Sequence, residues 1–136
     1  MRTIVVGYDG SEHSDRALER AIELAHEGAE LIVVSAAGLT RAGGMAGAVE
    51  VDPGEAEQAR ESLDKAQGKM QEKGINARTI EAHGDPADMI VQQAKEAGAE
   101  LIAVGTRGLN AAQRALLGSV STKVVHHAEC DVLVVR

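Results

Sequence analysis

Short aliphatic runs, separated by segments of helical spacing, leave this chain few ways to fold. TIVVGY (3–8), AELIVVSA (29–36), AELIAVG (99–105) and DVLVVR (131–136) are almost continuously apolar. Strands of that kind are buried on both faces, which requires helices above and below a parallel sheet. A fifth run, INARTIEA (75–82), alternates in polarity and predicts a less enclosed strand.

Between the runs, apolar residues recur at helical intervals: Ala17, Leu18, Ala21, Leu24 and Ala25, then Ala56, Ala59, Leu63, Ala66 and Met70. Ala87, Ile90, Val91 and Ala94 form a third set, and Val120, Val124 and Ala128 a fourth. Gly28, Gly74 and Gly98 fall where helices should end, at positions that favour a residue tolerant of positive φ. Asp85, Pro86 and Asp88 carry a helix-start signal: a capping carboxylate, a preset first φ and an acid in the first turn. The expected fold is therefore α/β, a single Rossmann-like domain over residues 1–136 with an open parallel five-stranded sheet and helices on both faces. Such sheets take ligands beyond the carboxyl ends of their strands, where the strand order reverses.

Several functional classes are disfavoured by composition. The formal charge is −7 and Tyr8 is the single aromatic residue, so the basic footprint and stacking platforms of nucleic-acid binders are missing. No apolar stretch approaches the roughly 20 residues of a membrane helix, and MRTIVVGYDG is a short strand-like run rather than a signal-peptide core. With Cys130 as the lone cysteine, no intrachain disulfide can form, and a cytoplasmic protein is expected. Neither a zinc-ligand spacing nor a nucleophile–base pair is evident, which argues against a metal centre and a dedicated catalytic site.

Two segments stand apart. The connection from 37 to 53 is rich in glycine and alanine and long for a compact domain, which predicts either a lid over the ligand edge or a disordered loop. The second segment, GTRGLNAAQRALLGS (105–119), follows the fourth strand and places glycine at 105, 108 and 118 with Ser119 before a new helical pattern. Glycines let a backbone approach a ligand closely, and a helix start supplies free N–H donors, so the spacing predicts a phosphate cradle with Ser119 as the helix cap. The lysine of a Walker loop is missing, and the position after the fourth strand does not suit the GxGxxG dinucleotide fingerprint.

The Gly-x2-Gly-x9-Gly-Ser spacing resembles the signature of the ATP-binding branch of the universal stress protein family. GYDGSEHSDRALERA and LLGSVSTKVVHHAECDVLVVR are similar to that family as well, so the likeness spans nearly the whole chain. The resemblance implies strand order 3-2-1-4-5, an adenine-nucleotide site between strands one and four, and a homodimer. It further implies that Gly105, Gly108, Gly118, Ser119 and Val120 hold ribose and phosphates, that Asp9 contacts the nucleoside and that Ala36 lies beside the adenine. Arg107 and Arg114 add positive charge to the loop and are both candidate phosphate partners. Asp131 follows the cysteine where the family often has proline.

In that strand order DVLVVR is an edge, and an uncovered apolar edge invites pairing with a second copy through Val132, Leu133, Val134 and Val135. His126 and His127 suit the last turn of a helix, whereas His13 and His83 fall near the ligand edge. Three readings stay open on the sequence: a stress-response dimer binding ATP with magnesium or manganese on the phosphates, the same pocket holding AMP or cyclic AMP, and a dimeric interaction module that binds no nucleotide.

Overall fold

The computed structural model describes residues 3–25, 28–41, 49–106 and 117–136. Over these the chain runs β1 (Thr3–Gly7), α1 (Glu12–Leu24), β2 (Glu30–Ala37), β3 (Leu39–Arg41), β4 (Val49–Val51), α2 (Pro53–Glu72), β5 (Ala77–His83), α3 (Pro86–Ala97), β6 (Leu101–Gly105), α4 (Ser119–His127) and β7 (Asp131–Val135). Five strands form one sheet in the order β5-β2-β1-β6-β7, every neighbouring pair parallel. Counting only those five, this is the expected order 3-2-1-4-5.

The continuous apolar runs are explained by the two faces of this sheet. Ile4 pairs with Leu31 and Leu101, and Val5 with Ile32 and Ile102, so like side chains stack across three adjacent strands. Alternation along each strand then sends Ile4, Val6, Leu31 and Val33 toward Leu18 of α1 and Leu63 and Met70 of α2. Val5, Ile32, Val34 and Ile102 face Ile90 and Ala94 of α3 and Val124 of α4. Ile4, Val5 and Val6 are fully buried, and truncating a residue like Ile4 to alanine is expected to cost about 2–5 kcal/mol.

Local signals fix where the helices start and stop. Ser11 caps α1 by accepting from the Ser14 amide at 3.2 Å, and Asp85 caps α3 by accepting from Asp88 at 3.0 Å. Asp52 caps α2 through the amides of Gly54 and Glu55, with Pro53 in the first turn. Gly98 closes α3 in the left-handed region at φ 63°. The alternating run is the edge strand β5, as its polarity predicted, and the opposite edge is β7, whose residues Val132–Val135 are all incompletely buried.

The ends of the segment from 37 to 53, expected as a lid or a disordered loop, form a short pair of strands. β3 and β4 pair antiparallel, with Leu39 opposite Val51. The hairpin is rooted by the Asp52 amide donating to the Gly38 carbonyl at 3.0 Å and the Gly38 amide donating to Glu55 Oε1 at 2.9 Å. Strands of three residues are too short to display a period, which is why the sequence hides them. Residues 42–48 lie outside the described residues. Among the described residues, no helix is long and apolar enough to cross a membrane.

Candidate functional site

β1 lies at the centre of the sheet, and the strand order reverses there: the chain builds outward through β2 to β5, then returns to β6 on the other side. The carboxyl ends of β1 and β6 consequently flank a crevice of the kind that holds ligands in open α/β folds. Asp9 follows β1, Ala36 lies near the end of β2, Gly105 ends β6, and Gly118, Ser119 and Val120 open α4. The fold thus brings these predicted residues to one end of the sheet. Arg107, Gly108 and Arg114 lie outside the described residues.

The loop after β1 is shaped by its own side chains. Asp9 Oδ1 accepts from the Ser11 amide at 2.9 Å, a local turn that leads directly into the capped start of α1. Gly10 has φ 83°, so a left-handed residue is required there, and its carbonyl accepts from Lys65 Nζ of α2 at 3.3 Å.

Gly105 lacks a side chain for a reason the sequence does not reveal. A Cβ there would stand 2.6 Å from the His13 carbonyl carbon and 2.8 Å from its oxygen, so the start of α1 rests directly on the end of β6. Thr106, buried at 6% exposure, follows immediately. Its amide donates to the Val135 carbonyl at 2.9 Å, its carbonyl accepts from the Gly118 amide and from Ser121 Oγ at 3.0 Å, and its hydroxyl lies 3.1 Å from His13 Nδ1.

The start of α4 differs from the predicted one. The capping position is Gly118, and Ser119 is the first helical residue. Ser119 therefore does not cap the helix: the chain turns one residue earlier because the Gly118 amide and Ser121 hydroxyl are both pinned to the Thr106 carbonyl. Side chains cap α1, α2 and α3, but none of the described residues caps α4. The first-turn N–H groups have no intrahelical acceptor, and with the helix dipole they present a partial positive charge to the crevice. Chemically, this arrangement can bind an anion.

Charged clusters brace the crevice from both faces. Between α1 and α2, the Tyr8 hydroxyl donates to Asp15, which also pairs with Lys65 at 2.9 Å and Lys69 at 3.2 Å. Burial pushes the Asp15 pKa up, but the Tyr8 hydroxyl and the two ammonium groups outweigh it and hold the carboxyl below its ordinary range. Burial, then Asp15 itself, drives the Tyr8 phenol far above its usual value. On the other face, Lys123 of α4 bridges Asp85 and Asp88 at 3.1 Å each, tying α4 to the start of α3.

The histidines play different parts. His83 ends β5 and pairs with Glu81 at 2.9 Å, and His126 and His127 occupy the last turn of α4. His13 is partly buried at the crevice, with Arg16 Nη2 3.3 Å from its Nδ1. Among the described residues, no three His, Cys, Asp or Glu side chains are grouped to hold a metal ion. Sequence reasoning missed Thr106 and Ser121. Both are small residues beside a glycine motif, and their roles arise from backbone contacts that no spacing rule encodes.

The whole chain, residues 1–136, matches the model of the universal stress protein family. It is 38% identical over 144 residues to the universal stress protein YxiE of Bacillus subtilis, covering 98% of this chain and 97% of that protein. A solved universal stress protein in complex with cAMP superposes with a TM-score of 0.76 at 29% identity, covering 99% of this chain and 97% of that one. The universal stress protein of Archaeoglobus fulgidus in complex with dAMP gives 0.76 at 26% identity, covering 100% and 98%.

Proposed function

Because the chain belongs to the universal stress protein family, we propose that it binds an adenine nucleotide in the crevice between β1 and β6, with ATP as the ligand and a nucleotide-responsive regulatory role rather than catalysis as the outcome. The observation that carries this reading is the start of α4: a helix whose first-turn amides no described side chain caps, held at the switch point of the sheet. One helix dipole contributes only about 0.3–1 kcal/mol at an exposed terminus, so several backbone donors must converge on the phosphates. Ser119, Val120 and Ser121 offer the first such donors, with Gly105, Arg107, Gly108 and Gly118 completing the loop and Asp9 and Ala36 on the nucleoside side. A magnesium or manganese ion would be carried by the phosphates themselves.

A second reading keeps the pocket and changes the ligand to AMP or cyclic AMP. It is favoured by the relatives whose complexes contain cAMP and dAMP. In either case we assign the active form to a cytoplasmic homodimer paired along β7, where Val132–Val135 remain incompletely buried in one copy.

Thermal unfolding with each nucleotide tests the proposal. A ligand at 100 times its Kd raises folding stability by about 2.7 kcal/mol, enough to move the transition by several degrees. ATP is expected to give the largest shift. A greater shift with AMP or cyclic AMP selects the second reading, and no shift with any of the three removes nucleotide binding.

A further inference from the structure

Thr106 makes four polar contacts with three separate parts of the molecule, and its side chain makes one of them. The main-chain amide holds β7 through the Val135 carbonyl, and the main-chain carbonyl holds the start of α4 through the Gly118 amide and the Ser121 hydroxyl. The Thr106 hydroxyl meets His13 Nδ1 at 3.1 Å, reaching the first turn of α1. These contacts lie just beyond the end of β6, where the backbone of His13 already fills the space beside Gly105.

The direction of the hydroxyl contact follows from the neighbour. Arg16 Nη2 lies 3.3 Å from the same His13 nitrogen, and a guanidinium has donors only. His13 Nδ1 must therefore be the acceptor, which puts the ring proton on Nε2 and makes the Thr106 hydroxyl a donor. Arg16 is held in turn by its Nε donating to the main-chain carbonyl of Arg136 at 2.6 Å. With the proton on Nε2, the single Nδ1 lone pair is shared between the Arg16 guanidinium of α1 and the Thr106 hydroxyl just beyond β6.

We propose that Thr106 is a positioning residue for the nucleotide site, its hydroxyl locking the start of α1 to the start of α4 so that the Asp9 loop and the α4 amides face one ligand together. The inference rests on the nucleotide-binding reading above and adds a residue whose side chain points to His13 rather than into the ligand. The energetic logic is preorganisation: a cradle of backbone donors binds well only if its two halves are already in register. Loss of this partly buried hydrogen bond, leaving His13 Nδ1 with Arg16 alone, lets them drift.

The test compares wild type with Thr106→Val, which keeps the shape and all three main-chain contacts but removes the hydroxyl, and Thr106→Ser, which restores it. ATP affinity is measured by calorimetry, and exchange of the Gly118 and Thr122 amides by hydrogen-exchange NMR without ligand. Thr106→Val is expected to weaken ATP about fivefold and to speed exchange at Gly118, while Thr106→Ser stays within about twofold of wild type in both. If wild type binds ATP and Thr106→Val binds it equally, or if Gly118 exchange is unchanged, the positioning role is wrong and the nucleotide reading stands. If wild type binds neither ATP nor AMP nor cyclic AMP in the same calorimetry, both fall.

Discussion

The main chain of His13 occupies the space that a side chain on Gly105 would need. A Cβ at residue 105 would lie 2.6 Å from the His13 carbonyl carbon and 2.7 Å from its Cβ. No rotamer change relieves contacts with a helix backbone, so α1 would have to move. Gly105→Ala is expected to destabilise the protein by about 1–3 kcal/mol, read as a lower urea midpoint. Gly68, inside α2 with no atom within 4 Å of the position a Cβ would take, should behave oppositely. Gly68→Ala is expected to stabilise by about 0.5–1 kcal/mol.

Ser11 and Ser119 look alike in sequence, each opening a helix, but only Ser11 is a cap. Ser11→Ala should therefore cost about 1 kcal/mol of stability. Ser119→Ala should change stability by no more than about 0.5 kcal/mol while weakening ATP through loss of a hydroxyl donor beside the first-turn amides. Chemical denaturation and calorimetry on the same two variants separate the roles, and a large stability loss at Ser119 would return it to capping.

The Asp15 carboxyl titrates below its ordinary range because Tyr8, Lys65 and Lys69 together outweigh its burial. A group whose pKa is lower in the folded state stabilises it above the unfolded pKa, and that contribution disappears as pH falls through the folded pKa. Glu81, held low first by His83, and Asp85, where the Asp88 amide and Lys123 outweigh burial, act in the same direction. Stability should be level near neutrality and decline from about pH 5 downward. Asp15→Asn should cost about 1–2 kcal/mol at pH 7 and progressively less toward pH 2, and Tyr8→Phe should raise the Asp15 titration seen by carboxyl NMR.

Val134 pairs with Val104 inside the sheet, packs against the core on the α3 and α4 side, and stays partly exposed on the edge strand β7. Under the dimer proposal, a charge there opposes strand pairing between copies. Val134→Lys is expected to sediment as a folded monomer where wild type sediments as a dimer. A dimeric variant would assign the contact to another surface.

Much of the fold was readable because one physical requirement repeats. A strand such as Ile4–Val6, buried from above and below, must be apolar without interruption, and Gly98 at a left-handed helix end or Asp85 before a proline leaves a local mark. The β3–β4 hairpin leaves no such mark, since Leu39–Arg41 and Val49–Val51 are each a single short pairing stabilised by its partner. The glycine spacing begins at the carboxyl end of β6, beside the switch point of the sheet. It did not distinguish Gly105, needed for packing against His13, from a glycine needed for ligand approach, because both demands are for a missing Cβ. Nor did it place the cap at Gly118, which depends on the Thr106 carbonyl reaching across the loop.

Whether the opening amides of α4 grip the phosphates of an adenine nucleotide is read from backbone NMR during an ATP titration. Saturable shifts are expected to be largest at the Ser119, Val120 and Ser121 amides, with far smaller changes in the capped first turn of α3. Saturating ATP that leaves those three amides unmoved would contradict that grip.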